Sequence, residues 1–155
     1  MDFSLLQVIF GLDQHYTQSA LFSAIDGITH PGGGTNTGNA LLKAKSDLFA
    51  KSPRAVPKIA IVITDGRSRD DIVAPAQQLR DSGCTVFSVG VGDNFDMEQL
   101  KQMATDPDSQ HVLKAKFEAL EPLVDTIVKT ACKGMLIYIV WGRMVFKKIV
   151  LISCS

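Results

Sequence analysis

The chain has 155 residues, 46% of them hydrophobic, and its 16 basic and 16 acidic side chains cancel to a formal net charge of zero. That length supports one domain with a real core rather than two. The first 130 residues carry no basic stripe of the kind a nucleic-acid footprint requires, and no uncharged apolar run reaches the roughly 18 residues of a membrane span.

Met1-Asp2 lacks a basic n-region and Leu5 to Leu12 is short and interrupted by Gln7, so no secretory signal is read at the start. Residues 6 to 12, with Leu6, Val8, Ile9, Phe10 and Leu12, are read as a strand. Thr17-Gln18-Ser19 opens a helical pattern carrying Leu21, Phe22, Ile25 and Ile28, which ends before Pro31. The glycine-rich run His30-Pro31-Gly32-Gly33-Gly34-Thr35-Asn36-Thr37-Gly38-Asn39 follows. It leads through polar caps into a helix whose expected buried stripe is Leu41, Leu42, Ala44, Leu48 and Phe49.

Lys58 to Ser68, KIAIVITDGRS, is the stretch with the strongest pattern. Ile59 to Ile63 is an unbroken, mostly β-branched apolar run, which is how a parallel strand buried on both faces reads. Asp65 stands where that strand runs out, the end of an open α/β sheet at which ligands bind. As a bare Asp-Gly pair, Asp65-Gly66 also reads as a turn. Asp70-Asp71 place negative charge at the start of the next helix, Ile72 to Asp81, with Pro75 tolerable only in its first turns. Thr85 to Val91 is a second buried strand, opened by Cys84, which reads as a small core residue. Asp96 with Gln99 caps a helix carrying Met97, Leu100 and Met103, and Asp106-Pro107 stops it. His111-Val112-Leu113 begins a weaker strand, and Phe117 to Cys132 is an amphipathic helix.

From Lys58 onward the alternation of strand and helix with short connections predicts an α/β fold, a mostly parallel Rossmann-like sheet with helices on both faces. Residues 1–132 are taken as the domain and 133–155 as an apolar and basic tail outside it, a reading preferred to an interfacial membrane contact.

No catalytic pattern emerges. His15, His30 and His111 pair with no Ser or Cys in a triad-like arrangement, and Ser88 lacks the preceding Gly of a nucleophile elbow because position 86 is Val. Cys84, Cys132 and Cys154 are not spaced as CxxC. A phosphate- or nucleotide-binding use of the Gly32–Gly38 loop is the alternative: the run fits neither GxxxxGK[ST] nor GxGxxG, although a glycine-rich loop before a helix favours anions. Asp65 and Thr35 together supply a carboxylate and a hydroxyl, both hard oxygen donors suited to Mg²⁺, which takes few protein ligands and keeps several waters.

GGGTNTG, the strand-end ITDGRS with its Asp-Asp helix start, DSGCTVFSVGVGD and the terminal helix ending in Cys132 resemble a von Willebrand factor type A domain of the extracellular-matrix type, as in collagens and matrilins. The resemblance implies a protein-binding adhesion module, not an enzyme, with a metal-ion-dependent adhesion site for Mg²⁺ or Mn²⁺ on the top of the sheet. It maps the loop threonine and strand-end aspartate ligands onto Thr35 and Asp65. It also implies an extracellular-matrix or cell-surface partner that supplies an acidic side chain to the metal, and an extracellular, secreted location. The Asp-x-Ser-x-Ser motif that ends the family's first strand occurs nowhere in the sequence. The chain therefore reads as N-terminally truncated, beginning near the family's edge strand at Gln7 to Leu12 and missing its first strand and helix. Three expectations follow: a degenerate metal site of low affinity, an exposed apolar edge along Ile59–Ile63, and a Cys132 without its usual partner. A non-functional alternative product is the remaining reading.

Overall fold

A computed structural model describes residues 8–12, 14, 17–28, 34–51, 57–116, 126–127 and 148–153. At its centre is β1, Lys58–Thr64, whose Ile59, Ala60, Ile61 and Val62 are all buried, as an apolar run flanked on both faces requires. It pairs in parallel with β2, Cys84–Val91, from Lys58↔Cys84 to Thr64↔Gly90. β2 pairs in parallel with the short β3, Val112–Ala115, from Ser88↔Val112 to Val91↔Ala115. A fourth strand, β4 (Lys148–Ser153), runs antiparallel beside β1, so the sheet order is β3-β2-β1-β4.

β4 corrects two expectations. Residues 148–153 of the segment expected outside the fold are part of the sheet, and the β1 edge expected to be bare is paired from Lys58↔Ser153 to Ile63↔Lys148. The physical reason is in Ile149-Val150-Leu151-Ile152, a mostly β-branched apolar run that can complete the main-chain ladder of a strand whose faces are already buried. A third correction concerns the start. Residues 8–12 form no strand; Gly11 N–H donates to the Gln14 side chain at 2.7 Å, Ile9 is exposed, and Leu12 instead packs against the core.

Helix α1, Gln18–Asp26, is capped as its sequence predicts, with the Thr17 hydroxyl accepting from Ala20 N–H. α2, Thr37–Lys43, continues into a π-helical stretch, Ala44–Phe49. Its buried stripe is Leu41, Ala44 and Phe49 with Leu48 packed alongside, whereas Leu42, expected inside, faces solvent. α3, Val73–Asp81, buries Pro75, Ala76 and Leu79, and Gly83 closes the turn after it at φ +80°, the left-handed region glycine enters without strain. α4, Met97–Met103, begins at Asp96, whose carboxylate accepts from Glu98 and Gln99 N–H. It ends against Arg80, whose guanidinium donates to the Gln102, Met103 and Ala104 carbonyls at 2.9, 2.8 and 3.2 Å. A single turn, α5 (Asp108–His111), precedes β3 and buries His111 against the Phe87 ring. Of the expected helix over 117–132, only residues 126–127 are described; they are helical and Ile127 is buried.

One core joins these elements: Ala60, Val62, Cys84 and Val86 from the sheet meet Leu41, Ala44, Ala76, Leu79, Leu100 and Met103 from the helices and Ile72 from the start of α3. Cys84 sits in it as the sequence suggests, and burial pushes its thiol up to about 12. The folded thiol therefore stays protonated where an unfolded one ionises, so this group withdraws stability as pH rises from about 9 towards 12. Alkylation of Cys84 at pH 8, followed by mass spectrometry, is expected to be at least a hundredfold slower in the native protein than in denaturant; equal rates would place the thiol at the surface.

Candidate functional site

Because β1, β2 and β3 are parallel, their carboxyl ends share one rim, with Thr64 beside Gly90 and Val91 beside Ala115. Asp65 follows β1 directly onto that rim. The turn behind it is pinned by the Thr64 hydroxyl, which donates to the Gly66 carbonyl at 2.8 Å and accepts from Gly66 N–H at 3.3 Å. One oxygen of Asp65, Oδ1, is fully buried and has no hydrogen-bond partner among the described residues. A buried carboxylate oxygen without a donor is costly, on the order of 1–3 kcal/mol or more.

The segment after Asp65 ties the rim to the loop that carries Thr35. Arg69 N–H donates to the Thr35 carbonyl at 2.9 Å. The Ser68 hydroxyl accepts from Thr37 N–H at 2.9 Å and donates to Asp70 Oδ1 at 2.6 Å, with the Thr35 carbonyl at 3.5 Å. The Asp70 carboxylate in turn accepts from Gly38 and Asn39 N–H at 3.0 and 2.8 Å. The main chain of Ser68 is itself gripped by Gln99, whose amide accepts from Ser68 N–H at 2.7 Å and donates to the Ser68 carbonyl at 3.2 Å. Loop 34–36 and Asp65 are thus held by one hydrogen-bonded segment, although the two are 30 positions apart in the chain.

Asp70 was expected to serve the helix that follows it. Instead only Asp71 does so, accepting from Val73 N–H at 3.0 Å, while Asp70 caps α2. Burial works against the charged form of Asp70, but hydrogen bonds from Ser68, Asn39 and Gly38 outweigh it and hold the carboxyl below its ordinary value. This arrangement also bears on phosphate binding: the Thr37, Gly38 and Asn39 N–H groups that would greet an anion at α2 already bond Ser68 and Asp70. Residues 30–33 of the glycine-rich run lie outside the described residues.

Sequence reasoning singled out Thr35 and Asp65 but missed Ser68, Asp70 and Gln99 as the groups that organise the rim. Among the described residues no cluster of three or more His, Cys, Asp or Glu side chains is arranged to hold a metal. Any cation here would take hard oxygens of mixed type, and the donorless Asp65 Oδ1 has the chemistry for one.

The family model of the von Willebrand factor type A domain matches residues 4–126. The chain belongs to that family. Its type A sequence is 35% identical over 133 residues to the human collagen alpha-1(XXI) chain, covering 85% of this chain and 14% of the collagen. It is 32% identical over 129 residues to human cochlin, covering 82% of this chain and 23% of cochlin. The chain thus spans less than a quarter of the length of either relative. In three dimensions this type A fold superposes on proximal thread matrix protein 1 from the mussel byssus with a TM-score of 0.73 at 28% identity, covering 80% of this chain and 32% of that one. Another structure of the mussel protein carries zinc in its MIDAS motif, the metal-ion-dependent adhesion site; at 24% identity and a TM-score of 0.71 over 94% of this chain and 32% of that one, it speaks for the fold. The expected mostly parallel Rossmann-like sheet agrees with these neighbours.

Proposed function

We propose that this chain is a protein-binding module of an extracellular-matrix protein, working outside the cell and without catalysis, with a degenerate metal-ion-dependent adhesion site at the Asp65 rim. The observation that carries this reading is the buried, donorless Asp65 Oδ1 at the carboxyl end of β1, on a segment hydrogen-bonded to the Thr35 loop. Asp65 and Thr35 would hold Mg²⁺ or Mn²⁺, and the cation would supply a positive centre for an acidic side chain of a matrix or cell-surface partner. The collagen and cochlin relatives support a matrix setting. Two protein oxygens leave most of the shell to water, and no Asp-x-Ser-x-Ser occurs in the sequence to add more, so affinity is expected to be weak, with Kd on the order of 1 mM or above.

Asp65→Ala separates the cost of the site from its use. Without divalent ions the variant is expected to be more stable than the parent by about 1 kcal/mol, because an unsatisfied buried oxygen has gone. In the parent, a cation at ten times its Kd adds about 1.4 kcal/mol of stability; in Asp65→Ala that increment is expected to vanish. Thermal melts with and without MgCl2 or MnCl2 read both effects, and a variant that keeps the cation-dependent rise would remove Asp65 from the site. Capture of immobilised collagen by the parent, present with Mg²⁺ and lost in chelator, tests the partner class; capture indifferent to both chelator and Asp65→Ala would overturn the metal-dependent reading.

A further inference from the structure

β1 is bounded on one side by β2 and on the other by a strand from the far end of the chain. Ile59 to Val62 are buried, so N–H and C=O groups left unpaired along that second side would be a template for any extended segment. What fills it is Lys148–Ser153, antiparallel over the whole register from Ile63↔Lys148 to Lys58↔Ser153. The segment contains Ile149-Val150-Leu151-Ile152 with neither Pro nor Gly, a composition that pairs readily as a strand. A main-chain ladder does not distinguish its own copy of such a segment from another molecule's.

We propose that the β1 edge is a strand-docking site, closed in cis by Lys148–Ser153 and able to accept the same segment from a second copy of this chain, giving a strand-exchanged dimer. Residues 128–147 separate the helical pair at 126–127 from β4. Residues 133–147 alone, beyond the helix expected over 117–132, can reach on the order of 50 Å when extended, several times the radius of gyration of about 15 Å expected for a domain of this size. It is therefore long enough to deliver the strand to a neighbouring molecule. Pairing is the same in cis and in trans, so its energy cancels and the effective concentration of the covalently linked strand decides, on the order of millimolar for a short link. Monomer dominates in dilute solution, and exchange grows when the chain folds at concentrations approaching that value.

Paired cysteines at Ile63→Cys and Lys148→Cys, Cα partners in the register, report both states when the natural thiols are replaced (Cys84→Ala, Cys132→Ser, Cys154→Ser). The full chain is refolded at about 10 µM and about 1 mM, concentrations that bracket the tether's range, then oxidised and run without reductant. The expected result is an intramolecular cross-link at the lower concentration and a covalent dimer at the higher, each absent from the single-cysteine controls. A cross-link confined to single molecules at both concentrations overturns exchange, and no pair-specific cross-link at either overturns the β1–β4 docking. Should the replaced background not fold, light scattering of the natural chain refolded in reductant at the same two concentrations decides: a dimer fraction that rises with concentration supports exchange, and monomer at both excludes it.

Discussion

Gly38→Ala is expected to destabilise the protein by about 3 kcal/mol, the upper part of the range for an overpacked site, and to lower Tm by roughly 10 °C in a chain of this length. A Cβ at position 38 would overlap the Asp71 carbonyl oxygen and lie 2.8 Å from its carbon, with Asp70 Oδ2 at 3.2 Å. The obstacle is backbone, so no side chain can rotate away from it. α2 would have to lift off the segment that follows Asp65, and the bonds of Thr37 to Ser68 and of Gly38 and Asn39 to Asp70 would lengthen with it. Gly66→Ala is the matched control in the same rim: a Cβ there meets nothing within 4 Å, so its expected effect is below about 1 kcal/mol in either direction. Both are read from thermal or urea unfolding without divalent ions. A Gly38→Ala variant melting within about 2 °C of the parent would show that α2 does not depend on this close approach.

Gly38 also shows what could be read from the chain alone. A glycine-rich loop before a helix suggested room for an anion; the structure uses that room for the chain's own main chain, and nothing in local sequence distinguishes the two. β1, β2 and α3 were legible because burial on both faces writes a long apolar run and burial on one face writes a helical stripe, each within a single window of sequence. The place of Asp65 at the strand end was legible for the same reason, as the first charged residue beyond such a run. Asp70 was not, because a cap supplied from 31 positions away leaves no spacing rule to find; the local rule gave it to α3, where Asp71 suffices. β4 was hidden by its cations: Lys147 just before it and Lys148 at its start, beside an apolar run, read as a tail or a membrane flank, since the segment it pairs with lies some 90 residues earlier. Residues 8–12 misled in the opposite direction, an apolar string that serves packing through Leu12 without a strand to pair with among the described residues.

Asp70→Ala is expected to cost about 2 kcal/mol near neutral pH, more than an ordinary cap, because one carboxylate accepts from Gly38 N–H, Asn39 N–H and the Ser68 hydroxyl together. Gly38 is buried, so its N–H loses its partner outright, whereas the exposed Asn39 N–H turns to water and recovers part of the loss. Asp70→Asn should fall between parent and Ala: its carbonyl oxygen still accepts, but its amide nitrogen faces a donor. The effect carries a pH signature. Hydrogen bonds hold the Asp70 carboxyl below its ordinary value in the folded chain, so its contribution is full above the unfolded value and fades as pH falls through the folded one. The stability gap between parent and Asp70→Ala, measured by urea unfolding, should thus be constant from pH 7 to about 5 and narrow below about 4. Because Ser68 and Arg69 also bond the Thr35 carbonyl, loosening Asp70 should loosen the Thr35 loop from the Asp65 rim and weaken the cation-dependent rise in Tm, with Asp65 untouched. A gap that widens towards acid would overturn the role of Asp70 as a hydrogen-bonded carboxylate at α2, and a cation response identical to the parent's would show that Asp70 holds α2 without organising the rim.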